Sequence, residues 1–233
     1  MVHGDLRRVP GADCGKRPMT LFFDLDGPIL DVSRRYYRLH SELVLQLGGM
    51  PMDEANYWER KRDREPLSAL LALDLKPIPG ESAQTYRQLW REKIEWPASL
   101  AADTVVPGAR EQLAALQTTH HLVLVTLRQC RENLEAQLER LQLGPFFEAV
   151  ISAAPPAEEA WKVKQELIRS SSWMNGSGCI VGDTEVDIRA GKALGLITVA
   201  VLSGIRNRRC LALEKPDFLV EGLRELPRLV ESR

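Results

Sequence analysis

Phe22-Phe23-Asp24-Leu25-Asp26-Gly27 is the stretch on which the fold turns: a short apolar run that ends abruptly in two aspartates, one residue apart, and then a glycine. Such a run reads as a buried strand of a parallel sheet. It delivers its carboxylates to the carboxyl edge of the sheet, where open α/β folds place their active sites. Taken alone, the same residues also describe a strand ending in an Asx turn. The rest of the chain decides between the two.

Working outward, apolar runs that read as strands recur at about 122–126, 148–152, 178–182, 196–201 and 217–220, beside the first at 20–24. Amphipathic segments lie between several of them. These are 107–118 after Pro107-Gly108, 130–142 with Leu134, Leu138 and Leu141 at helical spacing, and 185–194 closed by Gly195. Strand and helix in alternation imply right-handed crossovers and a parallel sheet covered on both faces. The fold class expected is α/β, with a Rossmann-like parallel sheet as its core.

The stretch from 31 to 103 breaks that rhythm. Roughly seventy residues separate the first two core strands, where one crossover helix needs far fewer. The stretch is rich in helix formers: Asp31-Val32-Ser33 can cap a helix carrying Tyr36, Leu39, Leu43, Val44 and Leu47, and Trp58, Leu67–Leu73 and Tyr86–Trp90 follow. The organisation expected is a leader over 1–18 without periodicity, a core over 19–30 and 104–233, and a helical insertion over 31–103.

At 233 residues the chain suits one substantial α/β domain with an insertion. Its 31 Lys+Arg against 32 Asp+Glu imply no basic field for nucleic acid. Cys14, Cys130, Cys179 and Cys210 lie far apart with no C-x-x-C pair, which argues against zinc or a disulfide framework and for reduced thiols. No run approaches a membrane span, and the N-terminus lacks the apolar stretch of a secretory signal. The expectation is a soluble, cytoplasmic protein with no membrane or nucleic-acid partner.

Three more segments join the opening motif in a fixed order. Leu122-Val123-Leu124-Val125-Thr126 is an apolar strand ending in a hydroxyl residue. Lys162 and Lys164 open a helical stretch, and Cys179-Ile180-Val181-Gly182-Asp183-Thr184-Glu185-Val186-Asp187 is a strand running into two acids four apart. The set resembles the four motifs of the haloacid dehalogenase (HAD) superfamily, in its phosphoglycolate phosphatase-like branch. The resemblance covers nearly the whole chain in layout, although its specific residues occupy only short loops. It implies that the insertion is a helical cap. One departure is Pro28, where the family carries Thr or Val; proline has no backbone N–H to offer the active-site turn.

By that resemblance Asp24 is a nucleophile that attacks phosphorus, and Asp26 is the acid that protonates the leaving alcohol and then activates water. The backbone carbonyl of Asp26 would face a Mg²⁺ ion shared with Asp24, Asp183 and Asp187. Those carboxylates would repel one another strongly if gathered without a cation. An acid at position 26 argues against the dehalogenase branch. Thr126 would donate its hydroxyl to a phosphoryl oxygen, joined by N–H groups of the following helix start. A lysine must balance the phosphate, and Lys162 is preferred to Lys164 because it stands nearer the helix start. Arg128 could reach a substrate anion. Arg34, Arg35, Arg38 and His40, and the cluster Arg60, Arg62 and Arg64, read as solvated helix faces from which one arginine could select an anionic group. His120 and His121 precede a strand at its far end and take no catalytic role.

The resemblance therefore implies a Mg²⁺-dependent phosphatase acting on a small soluble phosphate ester, since a closing cap leaves little room for a macromolecule. A phosphomutase uses the same motifs and passes the phosphoryl group to a sugar. A catalytically idle HAD fold acting as a binding protein is the alternative of another class. A nucleotide-binding Rossmann protein is disfavoured because no G-x-G-x-x-G follows the first strand.

Overall fold

The computed structural model describes residues 18–75, 80–153, 159–174 and 178–231. The expected leader lies almost wholly outside them. The chain runs β1 (Thr20–Phe23), β2 (Leu30–Asp31), helices α1 (Ser33–Gln46), α2 (Glu54–Arg62), α3 (Leu67–Asp74), α4 (Gly80–Lys93) and α5 (Pro97–Leu100), then β3 (Thr104–Val105) and α6 (Ala109–Leu116). Alternation follows: β4 (His121–Thr126), α7 (Arg131–Arg140), β5 (Ala149–Ser152), α8 (Ala160–Arg169), β6 (Gly178–Gly182), α9 (Glu185–Leu194), β7 (Ile197–Val201), α10 (Arg208–Leu213), β8 (Phe218–Val220) and α11 (Leu226–Glu231).

β5, β4, β1, β6, β7 and β8 form, in that order, a parallel sheet. All six expected strands are present, and the fold is the α/β Rossmann-like one anticipated. From β1 the chain moves outward through β4 and β5, then returns to the other side of β1 for β6, β7 and β8. The carboxyl end of β1 thus stands where the winding reverses, the place where open α/β sheets leave a crevice.

Burial on both faces explains why the central strands are apolar on both sides between their end residues. Leu21, Phe23, Leu122, Leu124, Cys179 and Val181 point to one face, where Leu113, Leu116, Leu134, Leu138 and Leu226 of α6, α7 and α11 cover them. Phe22, Val123, Val125 and Ile180 point to the other, against Ile168 of α8 and Ala190 of α9. With both faces covered, the interior positions of these strands cannot be polar without cost, and hydroxyl residues stand only at their ends. Truncating Phe22 to alanine would cost about 3–5 kcal/mol by this burial.

The helical insertion leaves the core through β2 and returns through β3. These pair antiparallel, Leu30 with Val105 and Asp31 with Thr104, so entry and exit are tied together. Two-residue strands carry no periodicity, and the sequence reading missed them. The insertion has its own small core of Leu39, Leu43, Val44, Leu71, Leu75 and Tyr86. Among the described residues no helix is long and apolar enough to cross a membrane.

Candidate active site

The crevice at the end of β1 is built by a turn that demands glycine. Gly27 has φ +102°, and a Cβ there would lie 2.1 Å from an Asp183 carboxylate oxygen. The turn closes through Leu25 O, which accepts from Ile29 N (3.2 Å) and Leu30 N (3.0 Å), while Gly27 N donates to Leu30 O (2.8 Å). None of these bonds uses residue 28, so proline is accommodated there. The turn aims Asp24 and Asp26 into a cavity of about 220 Å³ lined also by Arg35, Tyr36, Trp90, Thr126, Arg128, Lys164 and Thr184. The insertion thus supplies one wall, and the segments after β1, β4, β6 and β7, with Lys164 of α8, supply the rest.

Asp24, Asp183 and Asp187 come together, with one oxygen from each lying within 4.8 Å of the others. Asp183 is fully buried; its Oδ2 accepts from Ile205 N at 2.5 Å, and its Oδ1 has no hydrogen-bond partner among the described residues. Burial, Asp24 and Asp187 all push its pKa well above the usual carboxylate range. Asp24 is pushed up to about 7 by burial, which Lys164 only partly offsets and to which Asp187 and Asp26 add. Three gathered carboxyl groups, two of them with raised pKa values, and one buried oxygen without a partner among the described residues fit a hard divalent cation. Asp187 is more engaged: its Oδ1 accepts from Lys164, and its Oδ2 from Thr184 N (3.1 Å) and Thr184 Oγ1 (2.8 Å), which caps α9. Ile205 and Gly204 were missed at the sequence level. A Cβ at Gly204 would lie 2.0 Å from Asp183, a proximity that only the folded loop creates.

The preference for Lys162 is corrected. Its ammonium reaches Glu159 at 2.6 Å, and its side chain is 55% exposed. Lys164, 2% exposed, places Nζ 3.0 Å from Asp24 Oδ1 and 2.5 Å from Asp187 Oδ1. Burial opposes the charge of Lys164, but Asp187 and Asp24 more than compensate and keep it protonated. Residues two apart on a helix do not share a face. The signal was available in the sequence: Lys164 lies on the stripe with Trp161, Leu167 and Ile168, and Lys162 lies with Glu159 and Glu166.

Asp26 stands in the opposite environment. Its Oδ2 accepts from Arg35 Nη2 (2.7 Å) and Arg128 Nε (3.1 Å), and its Oδ1 from Arg128 Nη2 (2.7 Å). Burial works against the carboxylate, but Arg128 and Arg35 override it and hold the pKa at about 2. Behind them Asp103 sits 3.2 Å from Arg35 Nε and accepts from Gln137 Nε2 at 2.7 Å; burial raises its pKa to about 6 despite Arg35. Arg128 therefore lies in the cavity as expected, though engaged with Asp26. Arg35 is buried rather than solvated because α1 packs this face onto the core. Arg34 and Arg38, on the same helix, are exposed as expected.

Thr126 is buried and lines the cavity at the end of β4. The N–H groups beyond it go elsewhere than expected: Gln129 N and Cys130 N donate to Glu95 of the insertion at 2.8 to 2.9 Å. Glu185, between the two acids of the last motif, pairs with Arg206 at 3.0 Å and with Arg64 of the insertion at 3.1 Å. Arg62 donates to Leu202 O at 2.7 Å, and Arg60 pairs with Glu65 at 2.9 Å. Arg62 and Arg64 thus dock the insertion on the core, whereas Arg60 pairs within the insertion. His40 is fully buried, with Nε2 2.7 Å from Asp74 and Nδ1 2.9 Å from the Tyr86 hydroxyl.

Comparison with known proteins agrees with this geometry. The profile of the haloacid dehalogenase-like hydrolases matches residues 21–201. The chain is 27% identical over 202 residues to a phosphoglycolate phosphatase of Synechococcus elongatus, covering 87% of this chain and 92% of that one. It is 24% identical over 223 residues to a phosphoglycolate phosphatase of Pseudomonas fluorescens, covering 91% and 79%. Among solved structures, a haloacid dehalogenase-like hydrolase of Streptococcus pneumoniae superposes with TM-score 0.74 at 19% identity, over 91% of this chain and 98% of that one. With the ordered acids, the buried lysine and the parallel sheet all in place, the chain belongs to the haloacid dehalogenase-like hydrolases and is a phosphatase of that superfamily.

Proposed function

We propose that the chain is a Mg²⁺-dependent phosphatase that hydrolyses a small soluble phosphate monoester through an aspartyl-phosphate intermediate. One observation carries the reading: the Asp24 carboxylate stands 3.0 Å from a buried lysine, beside two more acids, one of which keeps an unpartnered buried oxygen. Asp24, Asp183 and the backbone carbonyl of Asp26 would hold the cation, and Asp187 would position Lys164 beside it. When bound, Mg²⁺ supplies charge neutralisation between the attacking carboxylate and the phosphoryl oxygens.

Asp24 attacks phosphorus as the bond to the leaving oxygen breaks; Asp26, ionised while Arg35 and Arg128 hold both its oxygens, first takes a proton from solvent and then passes it to that leaving oxygen. Water then attacks the aspartyl-phosphate, Asp26 takes the water's proton, and phosphate leaves with Asp24 restored. Lys164 stabilises charge on the phosphoryl group, and the Thr126 hydroxyl donates to one of its oxygens. The insertion over 31–103 acts as the cap, and the 220 Å³ cavity beneath it suits a small ester. Support for the metal includes a HAD-type hydrolase of Bacillus subtilis solved with bound magnesium, which shares the fold (TM-score 0.61, 19% identity, 93% of this chain and 100% of that one).

The test is a phosphatase assay over small phosphate esters with Mg²⁺, with chelator, and with Mg²⁺ restored. Activity should vanish and return, and acid quenching during turnover should trap phosphate on Asp24. Full activity in excess chelator would refute the mechanism.

A further inference from the structure

Ile205 N, the donor that holds Asp183, belongs to a loop that is also tied to the insertion. The loop runs from Leu202, just after β7, to Asn207, the residue that caps α10. Three of its residues bond the core: Leu202 N donates to Val220 O (2.9 Å), Ser203 Oγ to Gly27 O (3.0 Å) and Ile205 N to Asp183 Oδ2 (2.5 Å). The same loop meets the C-terminal end of α2. Arg62 Nη2 donates to Leu202 O (2.7 Å) and Arg206 O (3.4 Å), and Asn207 N donates to Arg62 O (3.2 Å). Arg206 Nη1 donates to Lys61 O (3.3 Å), and Asn207 Nδ2 and Arg209 Nη2 both reach Asp63.

The loop thus has one anchor in the core and one in the insertion, and its position depends on both. Arg206 adds a further tie, since its Nε donates to Glu185 Oε2 (3.0 Å) while Arg64 Nε of the insertion lies 3.1 Å from Glu185 Oε1. Contact with Asp183 is tight: a Cβ at Gly204 would lie 2.0 Å from its Oδ2. With Oδ2 fixed on Ile205 N, Oδ1 is left without a partner among the described residues and open to a cation. A loop displaced by about 1 Å would stretch that hydrogen bond out of its normal range and leave the carboxylate free to turn.

Resting on the metal reading above, we propose that Arg62 and Arg206 are positioning residues for the metal ligand Asp183, so that docking of the insertion on the 202–207 loop sets the affinity for the divalent cation. The insertion grips the loop, the loop fixes one oxygen of Asp183, and the other oxygen is kept for an ion that tolerates little departure from its preferred geometry. The link is reciprocal. A cation that fixes Asp183 also holds the loop and, through it, the docked insertion. Charge alone predicts the opposite sign: removing a positive side chain from the neighbourhood of gathered acids should tighten the binding of a cation. The two effects are therefore separable by direction.

The experiment titrates Mn²⁺ into the substrate-free protein and reads the free ion by electron paramagnetic resonance, with Mg²⁺ as competitor. Arg62→Gln and Arg206→Gln should each weaken the affinity for both ions by about fivefold or more, the lower end of ordinary coupling between sites. Arg60→Gln, whose partner Glu65 lies inside the insertion, should leave it within about twofold. Circular dichroism checks that each variant is folded. Hydrogen exchange reads the link in the other direction: saturating Mg²⁺ should slow exchange at the backbone amides of 61–64 in the wild type, and far less in Arg206→Gln. Unchanged or tighter metal binding in either folded Gln variant at 62 or 206, or no slowing at 61–64 in the wild type, would overturn the linkage and leave the metal site standing. If the wild type binds neither ion, the metal reading fails and the linkage falls with it.

Discussion

Two carboxylates on one turn, Asp24 and Asp26, meet opposite surroundings. Asp24 faces Asp183 and Asp187 with a single lysine between them, and burial pushes its pKa up to about 7. Asp26 is flanked by two guanidiniums that hold it at about 2 against the same burial. One end of the cavity is short of positive charge and fits an incoming cation; the other has its counter-charges built into the chain. Residue type decides none of this, because both are aspartates two positions apart. Neighbouring elements divide the labour: β6 and α8 surround Asp24, whereas β4 and the insertion surround Asp26.

Removing the nucleophile should break the contrast most sharply. Asp24→Asn should lower kcat by on the order of 10⁴-fold or more, since the amide keeps the shape and cannot attack phosphorus. Circular dichroism should show the fold intact.

The next largest effect separates the two lysines. Lys164→Ala leaves Asp24 and Asp187 without their shared cation and should cost about 10²–10³-fold in kcat/KM. Lys162→Ala removes only an exposed pair with Glu159 and should stay within about twofold. Comparable losses in both variants would show that the buried placement of Lys164 is not what matters. Lys164→Arg should recover little, because a planar fork does not fit between the two carboxylates.

At the other end, Asp26→Asn should be sensitive to the leaving group. Aryl phosphates, whose leaving oxygen needs little help from an acid, should lose on the order of tenfold, whereas alkyl phosphates should lose 10²–10⁴-fold. Equal losses on both would remove Asp26 from the role of acid and leave it as a structural partner of Arg35 and Arg128.

The smallest expected effect lies outside the cavity, in the insertion's own core. Burial lowers the pKa of His40 from its ordinary value of 6.5, against the pull of Asp74. The contacts match a neutral ring whose Nε2–H donates to Asp74 and whose Nδ1 accepts from the Tyr86 hydroxyl. With the folded pKa below the unfolded one, the unfolded chain takes up its proton first as pH falls. Stability from this group is therefore complete above about pH 6.5 and is lost as pH drops towards the folded value. Denaturant midpoints at about pH 7.5 and pH 5.5 should differ in the wild type, and the difference should shrink in His40→Gln. A midpoint that rises on acidification would refute the neutral assignment.

The legible parts of the molecule were those written locally. The central core strands are covered on both faces, so their sequences are mostly apolar and stand out from their neighbours. Each motif sits at the end of such a strand or on the next turn of helix. For that reason Asp24, Asp26, Thr126, Asp183 and Asp187 could be named in order, and the Rossmann-like architecture with an inserted helical region could be drawn before any coordinates. The β2–β3 pair was missed because two residues show no period. Lys164 was passed over for Lys162 because nearness to a helix start was weighed above the apolar stripe that contains Lys164.

Sequence by itself therefore determined the sheet, the insertion and the identity of the acids, since hydrophobic periodicity and strand-end loops act over a few residues. Tertiary structure alone decided the charge state of those acids and the company they keep. Arg128 and Asp26 are 102 residues apart, Gln129 and Glu95 are 34, and Lys164 and Asp187 are 23. Coulombic and hydrogen-bond energies depend on distance in space and on the water excluded around a pair, and neither is set until the core segments and the insertion pack together at the carboxyl edge of the sheet.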